Sequence, residues 1–152
     1  ARLLEENADQ PDARVLAQQL LDYQRSSPLV TTTALAAAVR DTLSAGAGRV
    51  HDDDVETTIR RVFQTLRVAV NDEFGALQMF LGSLPECLAP GGRVAILTFH
   101  SGEDRRVKHA FREGLQRGAY HRIADDVIRA GSEERRANPR STSAKLRWAV
   151  RA

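Results

Sequence analysis

The chain has 152 residues, of which 42% are hydrophobic and 28% charged, and its formal net charge at pH 7 is +2. This length allows one ordinary core, or a compact α/β unit with a small helical appendage, and it excludes two large domains. No apolar run approaches the roughly 20 residues that span a bilayer, so we expect neither a membrane segment nor a signal peptide.

Charge is unevenly distributed along the chain. Residues 1–102 hold 9 basic and 13 acidic side chains, whereas residues 103–152 hold 13 basic and 7 acidic ones. Eleven of the 13 cations in the second group are arginine, which suits bidentate contacts with phosphate. The basic part therefore fits either a nucleic-acid partner or a solvated arginine-rich surface, and charge alone does not separate the two.

The first 50 residues are predicted to be helical. Pro11-Asp12 opens a run with apolar residues at helical spacing, and this run ends before Pro28. Thr32 or Thr33 can cap a second helix, which stops in the flexible glycine stretch at residues 45–48. We take that stretch as the boundary between a helical part, residues 1–50, and residues 51–152.

Two amphipathic helices are predicted next. Asp52, Asp53 and Asp54 place negative charge at the start of the first, where the helix dipole favours it. Three adjacent carboxylates on a helix cannot all point at one ion, so this interpretation is preferred to a metal site. The second helix starts near Asn71 and ends before Pro85.

A buried strand and an abrupt polar stop follow. Pro90-Gly91-Gly92 is typical of a turn, and Val94 to Leu97 is the short apolar run of a strand covered on both faces. Thr98 to Ser101 ends the strand. Ligands in open α/β sheets bind at the carboxyl ends of strands, so this segment marks the edge of a candidate active site.

The single cysteine, Cys87, can form no internal disulfide, which fits a reducing, cytosolic compartment. We expect it to be buried as a small apolar residue. With one cysteine and no second histidine at a matching position near His100, no metal site is predicted.

The rest of the chain is predicted to alternate helix and strand. A helix from Glu103 to Phe111 is capped by Ser101, with its basic residues Arg105, Arg106 and Lys108 facing outward. Residues 120–123 form a short strand, residues 125–136 a loop or helix, and residues 143–151 alternate as a half-exposed strand. The sheet would have three strands and an exposed edge, which invites pairing with another chain.

Local chemistry leaves several interpretations open. His100 and Ser101 at a strand end suggest a hydrolase, but the segment lacks the first glycine of a nucleophile elbow. The run from Asn138 to Arg147 combines a turn, hydroxyls and cations that suit phosphate and sugar contacts. A plain Asx-Pro turn with surface arginines explains the same residues.

Four motifs together resemble the bacterial 16S ribosomal RNA cytosine-N4 methyltransferase family, often called MraW-type. They are Phe63-Gln-Thr-Leu-Arg-Val-Ala-Val-Asn-Asp-Glu73, Leu88-Ala-Pro-Gly-Gly-Arg93, Phe99-His-Ser-Gly-Glu-Asp-Arg105 with Val107-Lys108, and Asn138-Pro-Arg-Ser-Thr-Ser-Ala-Lys-Leu-Arg147. Pro28 to Leu35 is similar to part of that family's helical insertion, so the resemblance covers nearly the whole chain. Gly102, where the family usually has leucine, and the acidic run at residues 52–56 depart from the pattern.

The resemblance implies an α/β fold, a partial class I (Rossmann-like) methyltransferase sheet with a reversed last strand and a helical insertion domain. Residues 1–50 would be part of the insertion, and residues 51–152 the carboxy-terminal part of the methyltransferase domain. The implied reaction moves a methyl group from S-adenosylmethionine to the N4 amine of a cytidine in ribosomal RNA. This chemistry needs a pocket for an extruded base and groups that orient the amine and accept its proton.

The resemblance also suggests which residues form the site. The candidate catalytic residues are His100, Glu103 and Asp104. The candidate substrate and RNA-binding residues are Asn71, Asp72, Glu73, Ser101, Arg105, Asn138, Arg140, Ser141, Ser143, Lys145 and Arg147.

The family's cofactor site lies in its amino-terminal half, on a glycine-rich strand-turn-helix that this sequence lacks. Gly91-Gly92 precedes its strand and cannot form such a loop. The chain is therefore expected to be the carboxy-terminal half of an enzyme, inactive alone, cytoplasmic, and partnered by ribosomal RNA or the small subunit. An amino-terminal half or a second copy of the chain would complete it. The alternative is a non-enzymatic RNA-binding module.

Overall fold

The computed structural model describes residues 3–5, 13–45 and 51–152. The chain divides into two compact units, Ala1–Glu73 and Phe74–Ala152. The predicted helix start at Pro11-Asp12 and most of the predicted glycine boundary lie outside the described residues. The fold as a whole is α/β, as expected, with several helices and one small antiparallel sheet.

The first unit is helical where it is described. Its main helices are α1 (Ala13–Ser26), α2 (Thr32–Ser44) and α3 (Asp52–Val70). The Oγ1 of Thr31 accepts a hydrogen bond from the Ala34 N–H at 3.0 Å, so the cap of α2 precedes the predicted Thr32 or Thr33 by one or two residues.

The α3 helix joins the amino-terminal helices in one core. Asp52, Asp53 and Asp54 lie in its first turn, which confirms their predicted helix-terminal position. Its Ile59 and Val62 are buried in a cluster with residues of α1 and α2. The division between the compact units falls after α3, at residues 73 and 74. The assignment of residues 1–50 to a helical insertion stays a prediction.

The second unit mixes helices with a sheet. In chain order it contains α4 (Glu73–Ser83, whose first residue closes the first unit), a 3₁₀ turn (Leu84–Cys87), β1 (Arg93–Thr98), α5 (Ser101–Gln116), β2 (Tyr120–Ile123), β3 (Ile128–Arg129), α6 (Ser132–Ala137), a second 3₁₀ turn (Pro139–Ser143) and β4 (Lys145–Arg151).

The last strand, β4, is the centre of the sheet. The order is β1-β4-β2, the two-residue β3 also pairs with β4, and every pairing is antiparallel. This gives four strands where the sequence predicted three. Val107 and Phe111 of α5 pack with Tyr120 and Ala149 in the core of this unit. The Arg151 guanidinium donates to the carbonyl oxygens of Pro85 (2.9 Å) and Ala119 (2.7 Å), and so ties β4 to its surroundings.

The two faces of the sheet are covered unequally. On β1, Val94 and Ile96 pack against the core, but Ala95 is exposed and Leu97 is 52% exposed. The prediction that β1 is covered on both faces is therefore wrong for the described residues, because an apolar run does not say whether a second layer is present.

Two further predictions concern the burial of Cys87 and the presence of a membrane-spanning segment. Cys87 is exposed at the end of its 3₁₀ turn, so the prediction that it is buried is wrong. Among the described residues, no helix is long and apolar enough to cross a membrane.

Candidate active site

The site is built where β1 ends and α5 begins. Only Phe99 and His100 separate the last residue of the strand, Thr98, from the first residue of the helix, Ser101. The Thr98 hydroxyl donates to the Lys145 carbonyl oxygen at 3.2 Å, which fastens this strand end to β4. The short connection holds the polar residues 100–104 at the carboxyl end of β1.

His100 is the N-cap of α5. Its backbone is extended, and its Nδ1 accepts a hydrogen bond from the Glu103 N–H at 3.4 Å. The prediction that Ser101 caps this helix is wrong, because the helix starts two residues earlier than expected. Accepting at Nδ1 leaves the proton of the neutral ring on Nε2, which lies 3.1 Å from Glu103 Oε1.

The Glu103 side chain also stabilises the first turn of α5. Its Oε2 accepts a hydrogen bond from the Phe99 N–H at 3.0 Å, while Oε1 faces His100. This resembles a capping box, in which a glutamate in the first helical turn reaches back to the entering chain. The carboxylate and the imidazole are therefore held beside each other by the helix start itself.

An aromatic layer supports His100. The Phe74 ring lies 5.8 Å from the His100 ring, centroid to centroid, at a tilt of 49°. The Arg106 guanidinium carbon lies 3.4 Å from the Phe74 ring centroid, and Nη1 donates to the Gly102 carbonyl oxygen at 3.0 Å. Arg106 was expected to face outward but is half-buried.

Sequence reasoning missed Phe74 as a neighbour of His100 and Arg106 as a neighbour of Phe74. A signal for Arg106 was available, because positions four residues apart share one helix face and Gly102 is four residues earlier. Nothing local points to Phe74, whose contact with His100 joins residues 26 positions apart.

Gly102 leaves room for this layer. A Cβ at Gly102 would lie 2.8 Å from Phe74 Cζ and 3.2 Å from His100 Nδ1. Here the absent side chain lets the ring approach the helix, which gives a physical reason for the departure from the leucine usual in the family pattern.

Replacing Gly102 with Ala is expected to destabilise the second unit by about 1–3 kcal/mol, because the Phe74 ring must move to admit the methyl group. The matched control is Gly82→Ala in α4, where an added Cβ meets nothing within 4 Å. That change should stabilise by about 0.5–1 kcal/mol through helix propensity. Urea denaturation measures both, and equal effects would show that Phe74 does not restrict position 102.

Asp104 points into the fold and binds Arg147 of β4. Its Oδ1 accepts from Arg147 Nε at 2.7 Å and its Oδ2 from Nη2 at 3.2 Å. Arg147 is only 8% exposed, and Lys145 Nζ lies 4.0 Å from Oδ2. This bidentate pair fixes the first turn of α5 to the central strand.

Burial raises the pKa of Asp104, whereas the hydrogen bond and charge of Arg147 lower it. The charges of Lys145 and Lys108 lower it further, so the net pKa lies below its ordinary value. Asp104 therefore stays ionised in the folded protein to lower pH than an aspartate with the ordinary pKa.

The predicted RNA-binding run before β4 forms a tight turn. Asn138 Oδ1 accepts from the Arg140 N–H at 3.2 Å, and the Asn138 carbonyl accepts from the buried Ser141 hydroxyl at 2.8 Å. Asn138, Arg140 and Ser143 are exposed. An open cavity of about 440 Å³ brings Asn138, Arg140 and Ser141 together with Phe99, the neighbour of His100.

The remaining candidates, Asn71, Asp72 and Glu73, belong to the first unit. Asp72 has a φ of 48°, and the turn it makes separates α3 from α4. Glu73 accepts from Arg67 Nε (2.8 Å), and from Asn71 Nδ2 (3.2 Å). Through these hydrogen bonds, Asn71 and Glu73 stabilise the turn between α3 and α4.

The described residues offer little for a cofactor or metal. Gly91 N–H donates to the Arg151 carbonyl oxygen, and Gly92 N–H donates to the Ala89 carbonyl oxygen. Both N–H groups are therefore engaged in hydrogen bonds within the fold. In the part of the chain that is described, no cluster of three metal-ligating side chains occurs.

Comparison with known proteins gives one consistent family. The model of the MraW methylase family matches residues 1–152. A protein of Alkaliphilus metalliredigens named ribosomal RNA small subunit methyltransferase H 2 is 43% identical over 151 residues, which are 99% of this chain and 43% of that protein. A Synechocystis protein named ribosomal RNA small subunit methyltransferase H is 41% identical, over 98% of this chain and 46% of its own length. The chain thus spans less than half the length of these relatives.

Proposed function

The chain belongs to the MraW methylase family, and on that premise we propose that it is part of an S-adenosylmethionine-dependent methyltransferase acting on the N4 amine of a cytidine in small-subunit ribosomal RNA. The observation that carries this proposal is the family match over the whole chain together with the polar cluster at the end of β1. Since ribosomal RNA is the proposed substrate, we also propose a cytoplasmic location.

The fold supports a class I methyltransferase. In the sheet order β1-β4-β2, the last strand lies between its neighbours and runs antiparallel to both, as the reversed strand of that fold would. The helices α1 and α2 fit the inserted helical domain expected of the family, to which we assign residues 1–50. Both are assignments by analogy, and the chemistry rests on the site.

Within the site, His100 and Glu103 are proposed to hold the base and take its proton. Methylation leaves an extra proton on N4, and an oxygen such as Glu103 Oε1 is a suitable acceptor. His100 Nε2 lies 3.1 Å from that oxygen, so the imidazole is placed beside the proposed acceptor. Asp104 accepts its hydrogen bonds from Arg147, so we assign it a positioning role. It holds the first turn of α5 against β4.

The RNA side is proposed to lie on the basic carboxy-terminal part. Asn138 and Arg140 are exposed and line the 440 Å³ cavity, Ser143 is exposed in the same turn, and Arg105 is exposed on α5. Such groups suit phosphate and sugar contacts. Arg147 and Ser141 contribute indirectly, since their polar atoms bind within the fold. The RNA-binding role of the other five candidates stays a prediction; they are Asn71, Asp72, Glu73, Ser101 and Lys145.

The methyl donor is proposed to bind mainly to residues beyond this chain, since the glycine-rich strand-turn-helix of the family pattern is not found in this sequence. Calorimetric titration of the 152-residue chain with S-adenosylmethionine should therefore show no binding. Micromolar binding would contradict this and would mean that the chain, alone or self-paired, completes a cofactor site.

The activity itself is tested by co-expressing the chain with the part of the Alkaliphilus relative outside its matched 151 residues. We expect transfer of labelled methyl groups to small-subunit RNA, with modified N4-methylcytidine found after digestion. RNA binding by the purified complex without methyl transfer would favour the alternative, a non-enzymatic RNA-binding module.

A further inference from the structure

Three apolar side chains form a row across the sheet, at the end where β1 meets the polar cluster. The register places Leu146 of β4 opposite Leu97 of β1 and opposite Ile128 of β3, so the three share one face. We call these residues the apolar row. Leu97 is 52% exposed and Ile128 is 48% exposed, so the row is open to solvent.

Phe99 continues this row past the end of the strand. It lies two residues after Leu97, at the spacing that puts side chains on one face of an extended chain, and it is 53% exposed. Phe99 and the apolar row all line the cavity of about 440 Å³. His100 and Glu103 are not among its lining residues, so the cavity lies next to the proposed methylation site and is not part of it.

Charged and polar groups surround this apolar floor. Four exposed residues with charged or amide side chains line the cavity as well, namely Arg129, Glu134, Asn138 and Arg140. Charged residues are depleted at the centres of protein–protein interfaces, so this lining favours a ligand that joins an apolar ring to negative charge. The volume lies at the lower end of the range of about 300–1,000 Å³ for small-ligand sites, which suits one nucleotide.

We propose that the cavity holds an unstacked base of the RNA strand, next to the cytidine that is to be methylated. The base lies on Phe99 and the apolar row, while Arg129 and Arg140 contact the phosphates beside it. Single-stranded RNA is typically bound in this way, with aromatic side chains against the bases and cations along the backbone. The inference deepens the proposed function and rests on it in taking ribosomal RNA as the ligand.

The position of Phe99 in the chain explains why this base is a neighbour of the reacting one. Phe99 directly precedes His100, whose Nε2 lies 3.1 Å from Glu103 Oε1, the proposed proton acceptor. Consecutive Cα atoms are about 3.8 Å apart, so bases at these two places belong to consecutive nucleotides. Once held on Phe99, the neighbour no longer stacks on the cytidine, which lowers the cost of extruding it.

The first test is the binding of labelled hexacytidylate to the 152-residue chain, measured by fluorescence anisotropy at 50 mM salt. Phe99→Ala should weaken binding about 5- to 100-fold, the effect of one lost base stack. Phe99→Tyr keeps an aromatic ring and should bind as the wild type does. The matched control is Phe80→Ala, since Phe80 of α4 is 49% exposed and does not line the cavity. No binding by the wild type, or equal binding by Phe99→Ala, would overturn the inference.

A strand without bases separates the stacking contact from the phosphate contacts. Six tetrahydrofuran phosphates carry the charge of the strand but no base, so Phe99→Ala should not change their affinity. Arg140→Gln should weaken both ligands and reduce the slope of log K against log salt by about 0.7. Arg117→Gln is the control, because it removes the same charge at the other end of the 16-residue α5, about 24 Å away. If Phe99→Ala weakened both ligands equally, no base would lie on its ring.

The neighbouring position is tested with the completed enzyme of the methyl-transfer experiment. Removing the base on one side of the methylated cytidine should raise KM by the same factor as Phe99→Ala. The variant should lose nothing further with that RNA, because the two changes remove the same contact. Additive losses for the bases on both sides would contradict the inference.

The inference and the proposed function fail in different ways. The binding tests need neither S-adenosylmethionine nor methyl transfer. Methyl transfer by a complex whose Phe99→Ala chain binds hexacytidylate normally would disprove the base site and leave the proposed function intact. The expected binding pattern in a complex that transfers no methyl group would disprove the proposed function and leave a base-binding cavity.

Discussion

Asp104→Ala is expected to destabilise the second unit by about 3–5 kcal/mol, because it leaves the buried guanidinium of Arg147 without its carboxylate. The pair joins α5 to β4 across 43 positions of sequence, so its loss loosens the start of the helix that carries His100. Urea denaturation followed by circular dichroism measures the change.

Two controls separate the buried pair from charge removal in general. Asp22→Ala breaks an exposed pair with Arg25 and should cost less than about 1 kcal/mol. Replacing both partners, Asp104→Leu with Arg147→Met, should recover most of the stability, because the buried guanidinium is then absent together with its carboxylate. A single Asp104→Ala variant as stable as the wild type would show that the pair contributes nothing.

The same pair predicts a pH dependence. Because the folded pKa of Asp104 lies below its ordinary value, its contribution is present above the unfolded-state pKa, about 3.9, and is lost as pH falls through the folded value. The stability difference between wild type and Asp104→Asn should therefore be constant near neutral pH and shrink below about pH 4. A difference that does not change with pH would contradict this.

His100→Asn in the completed enzyme is expected to lower kcat by up to about 100-fold, because the imidazole beside Glu103, the proposed proton acceptor, is lost. Asparagine is also a good N-cap, so it can still accept the Glu103 N–H bond that His100 accepts now. The variant therefore removes the imidazole while it keeps the helix start. Labelled methyl transfer under saturating substrate gives kcat.

His100→Ala is the matched comparison, because it removes both the imidazole and the cap. It should lose activity as His100→Asn does, and in addition about 1 kcal/mol of stability. If His100→Asn kept its full rate while His100→Ala lost stability, His100 would be a capping residue only and would leave the list of catalytic candidates.

The elements that local patterns predict are the ones found most accurately. The apolar run at residues 94–97 predicted β1, and the alternation at residues 143–151 predicted β4. Helical spacing and three aspartates predicted α3. Each of these signals lies within one segment, where backbone periodicity and side-chain chemistry act together.

The face that a strand presents is harder to predict. The apolar residues Leu146, Trp148 and Val150 of β4 look like the core side, yet Arg147 and Ala149 are the buried ones. Arg147 can be buried on that side because the Asp104 carboxylate balances its charge and accepts hydrogen bonds from its guanidinium. An alternating pattern shows that two faces differ, but not which of them meets the helix layer.

By itself, therefore, the sequence determined the helical first part, the strand that ends at His100 and the four motifs that carry the family resemblance. Only the tertiary structure decided that His100 caps α5, that Phe74 and Arg106 surround Gly102, and that Asp104 binds Arg147. The reason is physical. Local periodicity and turn chemistry act over a few residues, whereas these contacts depend on how a helix of one segment packs against a strand and a helix of others.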